Sequence, residues 1–104
     1  MAMFDKMRQA RNLMSLQKKA KTIQKELSKT EIEAESMSGQ VSVIVSADQK
    51  LQSIHLDPEI LTPENSTRIE KALKDAFNEA NKEAQKIATS KMKQISGDLG
   101  LPGF

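Results

Sequence analysis

The sequence contains no cysteine, tryptophan or tyrosine, and it has one histidine. Without cysteine the chain cannot form a disulfide, use a thiol nucleophile or bind zinc through thiolates. No apolar run approaches the roughly 18 residues of a membrane span, and the N-terminus lacks the apolar segment of a secretory signal peptide. These absences favour a cytosolic protein, and we expect a cytoplasmic location.

The lone histidine is the best candidate for catalysis, and it is a weak one. His55 and Asp57 lie two residues apart on a predicted strand and so share a face, a spacing that can orient an imidazole as a base. No glycine-flanked serine, second histidine or phosphate-binding glycine motif accompanies them. Together with Asp48 they match no metal-ligand spacing. We therefore expect no enzyme activity, no metal and no cofactor.

The first 29 residues predict a long helix, at about 3–29, because they contain neither proline nor glycine and are rich in helix formers. An apolar seam with spacing 3, 4, 3, 4 runs along one side of it: Leu13, Leu16, Ala20, Ile23 and Leu27. Nearly opposite lies a basic face, consisting of Arg8, Arg11, Lys18, Lys25 and Lys29. One side of the helix is thus suited to packing and the other to an anionic partner.

The middle of the chain predicts three antiparallel strands in a meander, at about 30–37, 40–46 and 50–57. A two-residue turn at Ser38-Gly39 and the polar run 47–50 separate them. The period-2 apolar positions of the second and third strands are assigned to the core or to a dimer interface: Val41, Val43, Val45, Ile54 and Leu56.

A second long helix is predicted at about 63–96, where Thr62-Pro63-Glu64 has the form of an N-terminal cap. The glycine-rich residues 97–104 are expected to form a flexible tail. The predicted fold is therefore α+β, with the order α-β-β-β-α in a single domain over residues 1–104. Two long helices with apolar seams exceed what one three-stranded sheet can cover, so we expect a homodimer.

Charge is segregated along the chain. Residues 1–29 carry eight basic and two acidic side chains, a net charge of +6, whereas residues 30–66 carry one basic and seven acidic, a net charge of −6. Residues 67–104 carry seven basic and five acidic side chains, so the whole chain has a net charge of +2. This segregation indicates that the first helix faces an anionic partner.

Four pieces of the sequence, taken in order, carry a resemblance: Ile54-His55-Leu56-Asp57-Pro58, Ile60-Leu61, residues 75–80 (Asp-Ala-Phe-Asn-Glu-Ala) and the C-terminal Leu101-Pro102-Gly103-Phe104. Together they resemble the YbaB/EbfC family of bacterial nucleoid-associated proteins. The resemblance covers nearly the whole chain and implies an α-β-β-β-α subunit, a homodimer with protruding helices, and DNA binding without catalysis. It also implies that the basic residues of the first helix bind DNA: Arg8, Arg11, Lys18, Lys19, Lys21, Lys25 and Lys29.

The sequence departs from the family pattern at two glycine positions, both next to the second strand. Family members often have Gly-x-Gly before this strand and a glycine in the turn after it. Here Ser38-Gly39-Gln40 keeps one glycine and residues 47–50 have none. The departure leaves the basic helix untouched, but it makes the geometry of the hairpin an open question.

The composition narrows the kind of nucleic acid. Proteins that bind single strands or RNA usually stack bases on aromatic rings, and this chain has only three phenylalanines. Duplex DNA is favoured, and thirteen lysines against three arginines suit phosphate contacts better than guanine recognition. The expected function is DNA binding at the nucleoid with weak sequence preference. The alternative is a dimeric helical protein whose basic arms bind an acidic protein or an anionic membrane surface.

Overall fold

The structure, a computed structural model, describes the backbone of residues 2–98 and the side chains of residues 11–95. Its main elements are α1 (Ala2–Lys29), β1 (Glu31–Ser36), β2 (Val41–Ser46), β3 (Leu51–Leu56) and α2 (Ser66–Asp98). The three strands form one antiparallel sheet in the order β1-β2-β3. The predicted α-β-β-β-α order is therefore confirmed.

The second helix differs from the prediction at both ends. Residues 58–60 and 63–65 form two short 3₁₀ turns, so α2 begins at Ser66 rather than at Pro63. At the other end α2 continues through Gly97 and Asp98, which the sequence pattern assigns to the flexible tail. A single glycine costs a helix only about 1 kcal/mol, which is too little to end it. The remaining predicted tail, 99–104, lies outside the described residues.

The core consists of small residues of α2 packed on the valines of β2. One cluster contains Ala34, Val43, Val45, Ala76 and Ala80, and a second contains Val41, Ile60, Ile69 and Ala72. Alanines at this interface let the helix backbone approach the sheet closely, which gives dense packing without large side chains. The three valines of β2, which the sequence pattern assigns to the core or to a dimer interface, are buried in the single chain, each 2% exposed or less.

The third strand is not covered by this core. Helix α2 lies across β1 and β2, which leaves β3 as an uncovered edge. Leu56 is half-buried, but Leu51 and Ile54 are 47% and 49% exposed. Ile54, which the sequence pattern assigns to the core or to a dimer interface, therefore lies outside the core of the single chain, because the helix that would cover it sits over the two other strands. A dimer-interface role for Ile54 stays a prediction.

Both hairpin turns contain residues other than glycine with left-handed backbone angles. The first turn is longer than the predicted Ser38-Gly39 pair, since Met37, Ser38 and Gly39 all have positive φ, at 52°, 57° and 87°. In the second turn Gln49 has φ of 68°. A left-handed residue other than glycine costs roughly 1–2 kcal/mol. The second hairpin thus forms without the glycine common in the family that the sequence resembles, at the cost of strain at Gln49.

Candidate nucleic-acid interface

The structure places most of the predicted DNA-binding side chains in solvent. Arg11, Lys18, Lys25 and Lys29 of the basic face are exposed. Of the two lysines beside this face, Lys21 is exposed and Lys19 is half-buried. Arg8 lies in α1, but its side chain is outside the described part of the chain. From Arg11 to Lys29 the helix rises about 27 Å, the length of roughly eight base pairs of B-DNA.

The apolar seam explains why the basic face points outward. Leu27 is buried, and Leu16, Ala20 and Ile23 are half-buried. Ile23 lies in a groove shared with Ile95 of α2, so the second half of α1 packs on the end of α2. Leu13, a member of the same predicted seam, is 56% exposed. The groove shared with α2 thus involves the second half of α1, while Leu13 is largely in solvent.

The acidic residue within the basic helix is paired with α2. Between Arg11 and Lys29 the sequence has one acidic residue, Glu26, and its Oε2 lies 3.4 Å from Nζ of Lys91. Both side chains are partly exposed, so this ion pair adds little to stability. It does offset the negative charge of Glu26, which leaves the field of the basic face strongly positive.

The end of α1 is joined to the β2–β3 turn by backbone hydrogen bonds. The Ala47 N–H donates to the carbonyls of Leu27 and Thr30, at 3.0 and 2.9 Å, and Ala47 is fully buried. The Thr30 hydroxyl donates to the Glu26 carbonyl at 2.7 Å. These bonds satisfy carbonyls that a helix C-terminus leaves without partners. They also hold the β2–β3 turn beside the last two turns of α1.

This junction forms a cleft of about 500 Å³, which we call the turn cleft. It is lined by Lys21, Gln24, Lys25, Ser28, Asp48 and Lys50. Lys50 is absent from the set of DNA-binding residues predicted from sequence. No periodicity marks a residue in a turn, and only the packing of that turn on α1 brings Lys50 beside Lys21 and Lys25.

A second basic depression lies on α2. It has a volume of about 470 Å³ and is lined by Lys82, Gln85, Lys86, Thr89, Ser90 and Lys93. Its three lysines project on the side of α2 opposite the buried alanines. Sequence reasoning missed this set because three acidic residues precede it in α2 and make the helix look mixed in sign.

The outer face of the sheet has the opposite character. The exposed acidic residues of β1 are Glu31, Glu33 and Glu35. Register places Glu33 beside Ile44 and Glu35 beside Ser42, on the face away from α2. An acidic face of this kind repels a polyanion, whereas the basic face of α1 attracts one.

The geometry of the described residues adds no support for a catalytic site or a metal-binding site. His55 is exposed, and the Asp57 carboxylate accepts a hydrogen bond from the Glu59 N–H at 3.0 Å, which caps the first 3₁₀ turn. Among the described residues no group of three or more histidine and carboxylate side chains is placed to hold a metal ion. Neither helix, as far as it is described, is both long and apolar enough to cross a membrane.

Curated relatives of this chain are named nucleoid-associated proteins. One from Bradyrhizobium sp. (strain ORS 278) is 39% identical over 90 residues, which cover 86% of this chain and 85% of the relative. One from Moorella thermoacetica is 34% identical and covers 79% of each chain. One from Alkaliphilus metalliredigens is 29% identical over 102 residues and covers 91% of this chain and 90% of its own.

A solved structure and a family model extend the comparison. The crystal structure of an uncharacterized protein from Helicobacter pylori superposes with a TM-score of 0.74 at 19% identity, covering 80% of this chain and 87% of the other, and so shares the fold. The model of the YbaB/EbfC DNA-binding family matches residues 1–99. This family is one of DNA-binding proteins and not a class of enzymes. The chain belongs to the YbaB/EbfC DNA-binding family.

Proposed function

We propose that this protein is a non-enzymatic, nucleoid-associated protein of the cytoplasm that binds duplex DNA as a homodimer. The contacts are made mainly to phosphates, by the basic face of α1 and by Lys19 and Lys21 beside it. The observation that carries the proposal is a solvent-exposed basic face about 27 Å long, whose neighbouring carboxylate, Glu26, is paired with Lys91. Such a surface attracts the backbone of a duplex regardless of its sequence.

The side chains available favour duplex over single-stranded DNA. Phe77 is half-buried against the core, so its ring is not a platform for stacking a base. Apart from Arg11, the proposed DNA-binding side chains that the structure describes in α1 are all lysines. Lysine contacts phosphate as a point charge rather than reading guanine with a fork of donors. Weak sequence preference follows.

The surface proposed for the homodimer is the edge of β3. An edge strand offers unpaired backbone groups to another strand, and Leu51 and Ile54 add exposed apolar area beside it. The opposite edge, β1, carries Glu31, Glu33 and Glu35, so two copies would bring like charges together there. The β3 segment LQSIHL has no acidic or lysine side chain, and antiparallel pairing of two such strands gives a two-fold dimer.

The dimer is tested by changing Leu51 and Ile54 together to aspartate. Both side chains are about half exposed in the single chain, so the fold is expected to persist while the dimer dissociates to a protomer of 11.6 kDa. Light scattering after size exclusion measures the mass, and circular dichroism checks the fold. The control is Leu13→Asp, at a residue 56% exposed on α1, which should stay dimeric. If only the control variant dissociated, the dimer interface would instead be assigned to the part of α1 around Leu13.

DNA binding is tested with fluorescently labelled duplexes of equal length and unrelated sequence. Each phosphate contact contributes roughly −0.9 to the slope of log K against log salt concentration. With about four to eight contacts per dimer we expect a slope of about −4 to −7, and dissociation constants that differ by less than about threefold among the sequences. A single strand of equal length is the control and should bind more weakly. Salt-independent binding, or binding to one sequence alone, would contradict the proposal and favour an acidic protein partner.

A further inference from the structure

We infer that the β2–β3 turn is a second element of the DNA-binding surface, in which Lys50 joins Lys21 and Lys25 to hold one backbone phosphate in the turn cleft. The inference rests on the proposed function and extends it from a single helix to a helix and a turn. It adds a residue that lies outside α1 and that follows no helical repeat.

The turn is fixed to α1 firmly enough to serve as part of one surface. Its first residue, Ala47, is fully buried and donates its N–H to the carbonyl of Leu27, in the last turn of α1, and to that of Thr30, directly after α1. The turn is closed by backbone bonds from the Ser46 N–H to the Lys50 carbonyl, at 2.9 Å, and from the Gln49 N–H to the Ser46 carbonyl, at 2.8 Å. The Gln52 amide adds a bond of 3.1 Å to the buried Ser46 hydroxyl. The backbone of Lys50 is therefore held in place relative to Lys21 and Lys25.

The chemistry of the turn cleft fits a phosphate. Three lysines and Gln24 are among the residues that line it. Lysine ammonium and glutamine amide N–H groups are donors to which phosphate oxygens hydrogen-bond. A volume of about 500 Å³ admits a phosphate with its neighbouring sugars. The Lys50 side chain is 77% exposed, so its ammonium can reach a polymer as large as a duplex.

One carboxylate in the cleft opposes the phosphate. Asp48 Oδ2 lies 3.9 Å from Nζ of Lys50, at the limit of an ion pair, and the Asp48 carboxylate also accepts a hydrogen bond from the Ser46 hydroxyl. In the absence of DNA this carboxylate is the anion near Lys50. A phosphate in the cleft must compete with it, so removing its charge is expected to strengthen DNA binding. Lys50 and Asp48, two residues apart in one turn, are therefore predicted to have opposite effects on DNA affinity.

The experiment compares Lys50→Gln and Asp48→Asn with the control Lys71→Gln, which removes one charge from an exposed position on α2. At about 0.15 M salt one phosphate contact is worth roughly fivefold in affinity. Lys50→Gln should weaken binding of a duplex at least about fivefold and make the salt slope shallower by about 0.9 for each phosphate contact removed. Asp48→Asn should strengthen it by roughly two- to fivefold, since asparagine keeps an oxygen for the Ser46 hydroxyl. Lys71→Gln should change affinity by less than about twofold.

The inference would be overturned if Lys50→Gln and Asp48→Asn both lost affinity for the duplex, or if neither did. A turn with a merely structural role would not make the two variants change DNA affinity in opposite directions. The wild-type protein separates this failure from failure of the proposed function. If the wild-type protein binds duplexes with a steep salt slope and Lys50→Gln does not change the affinity, only the inference fails. A third arm titrates inorganic phosphate at constant ionic strength. Suppose that the wild-type protein is saturated below millimolar phosphate and that Lys50→Gln abolishes this binding but leaves DNA affinity unchanged. The turn cleft would then be assigned to free phosphate instead.

Discussion

Replacing Lys18 and Lys25 together with glutamate is expected to reduce affinity for every duplex by at least several hundredfold. In a dimer the change removes four cations, and at about 0.15 M salt the removal of each phosphate contact costs roughly fivefold. The four new carboxylates add repulsion to this effect. The residual binding should show a flatter dependence on salt, because fewer counterions are released. Fluorescence anisotropy at several salt concentrations measures both quantities.

The fold should survive this double substitution. Lys18 and Lys25 are exposed and lie on the side of α1 away from the buried Leu27, so their charges contribute little to packing. The matched control changes Lys71 and Lys74, both exposed on α2, to glutamate. It alters the net charge by the same amount and should reduce affinity far less. An equal reduction in the control would show that net charge, and not the basic face, determines binding.

Val43→Asp is expected to destabilise the protein strongly. Val43 is 2% exposed and lies in one cluster with Ala34, Ala76 and Ala80. An unpaired carboxylate at this position loses its hydration without gaining a partner, which costs about 4 kcal/mol or more. A domain of this size has a total free energy of unfolding of about 5–15 kcal/mol, so the substitution would remove from about a quarter to most of its stability. Thermal melting followed by circular dichroism measures the effect.

Ser53→Asp is the control for this substitution. Ser53 is exposed and pairs with Ile44, on the face of the sheet opposite Val43. A carboxylate there stays hydrated, so the melting temperature should change by only a few degrees. If Val43→Asp melted like Ser53→Asp, the assignment of the α2-covered face as the core would be refuted.

The two helices and three strands could be predicted because their signals are local. A seam with spacing 3, 4, 3, 4 and a run of alternating valines each constrain neighbouring residues of one element. The ends of elements were harder to predict. The 3₁₀ turn before Ser66 and the helical Gly97 depend on energies of about 1 kcal/mol, which a sequence pattern does not resolve.

The candidate site, too, could be predicted from the sequence only in part. The basic face of α1 could be identified from sequence, because helical spacing alone puts Lys18 and Lys25 on one side. The ion pair of Glu26 with Lys91 could not, since it joins residues that are 65 positions apart. Nor could the exposure of Ile54, which alternates like a core residue but lies on the strand that α2 leaves uncovered.

The sequence by itself determined the elements, their amphipathic faces and the family, because periodicity and charge segregation are properties of the linear chain. Only the tertiary structure decided what lies beside the basic face. Two hydrogen bonds from the Ala47 N–H dock the β2–β3 turn on the end of α1 and carry Lys50 to Lys21 and Lys25. Such a contact depends on how the hairpin packs on the helix, which no spacing within either element specifies.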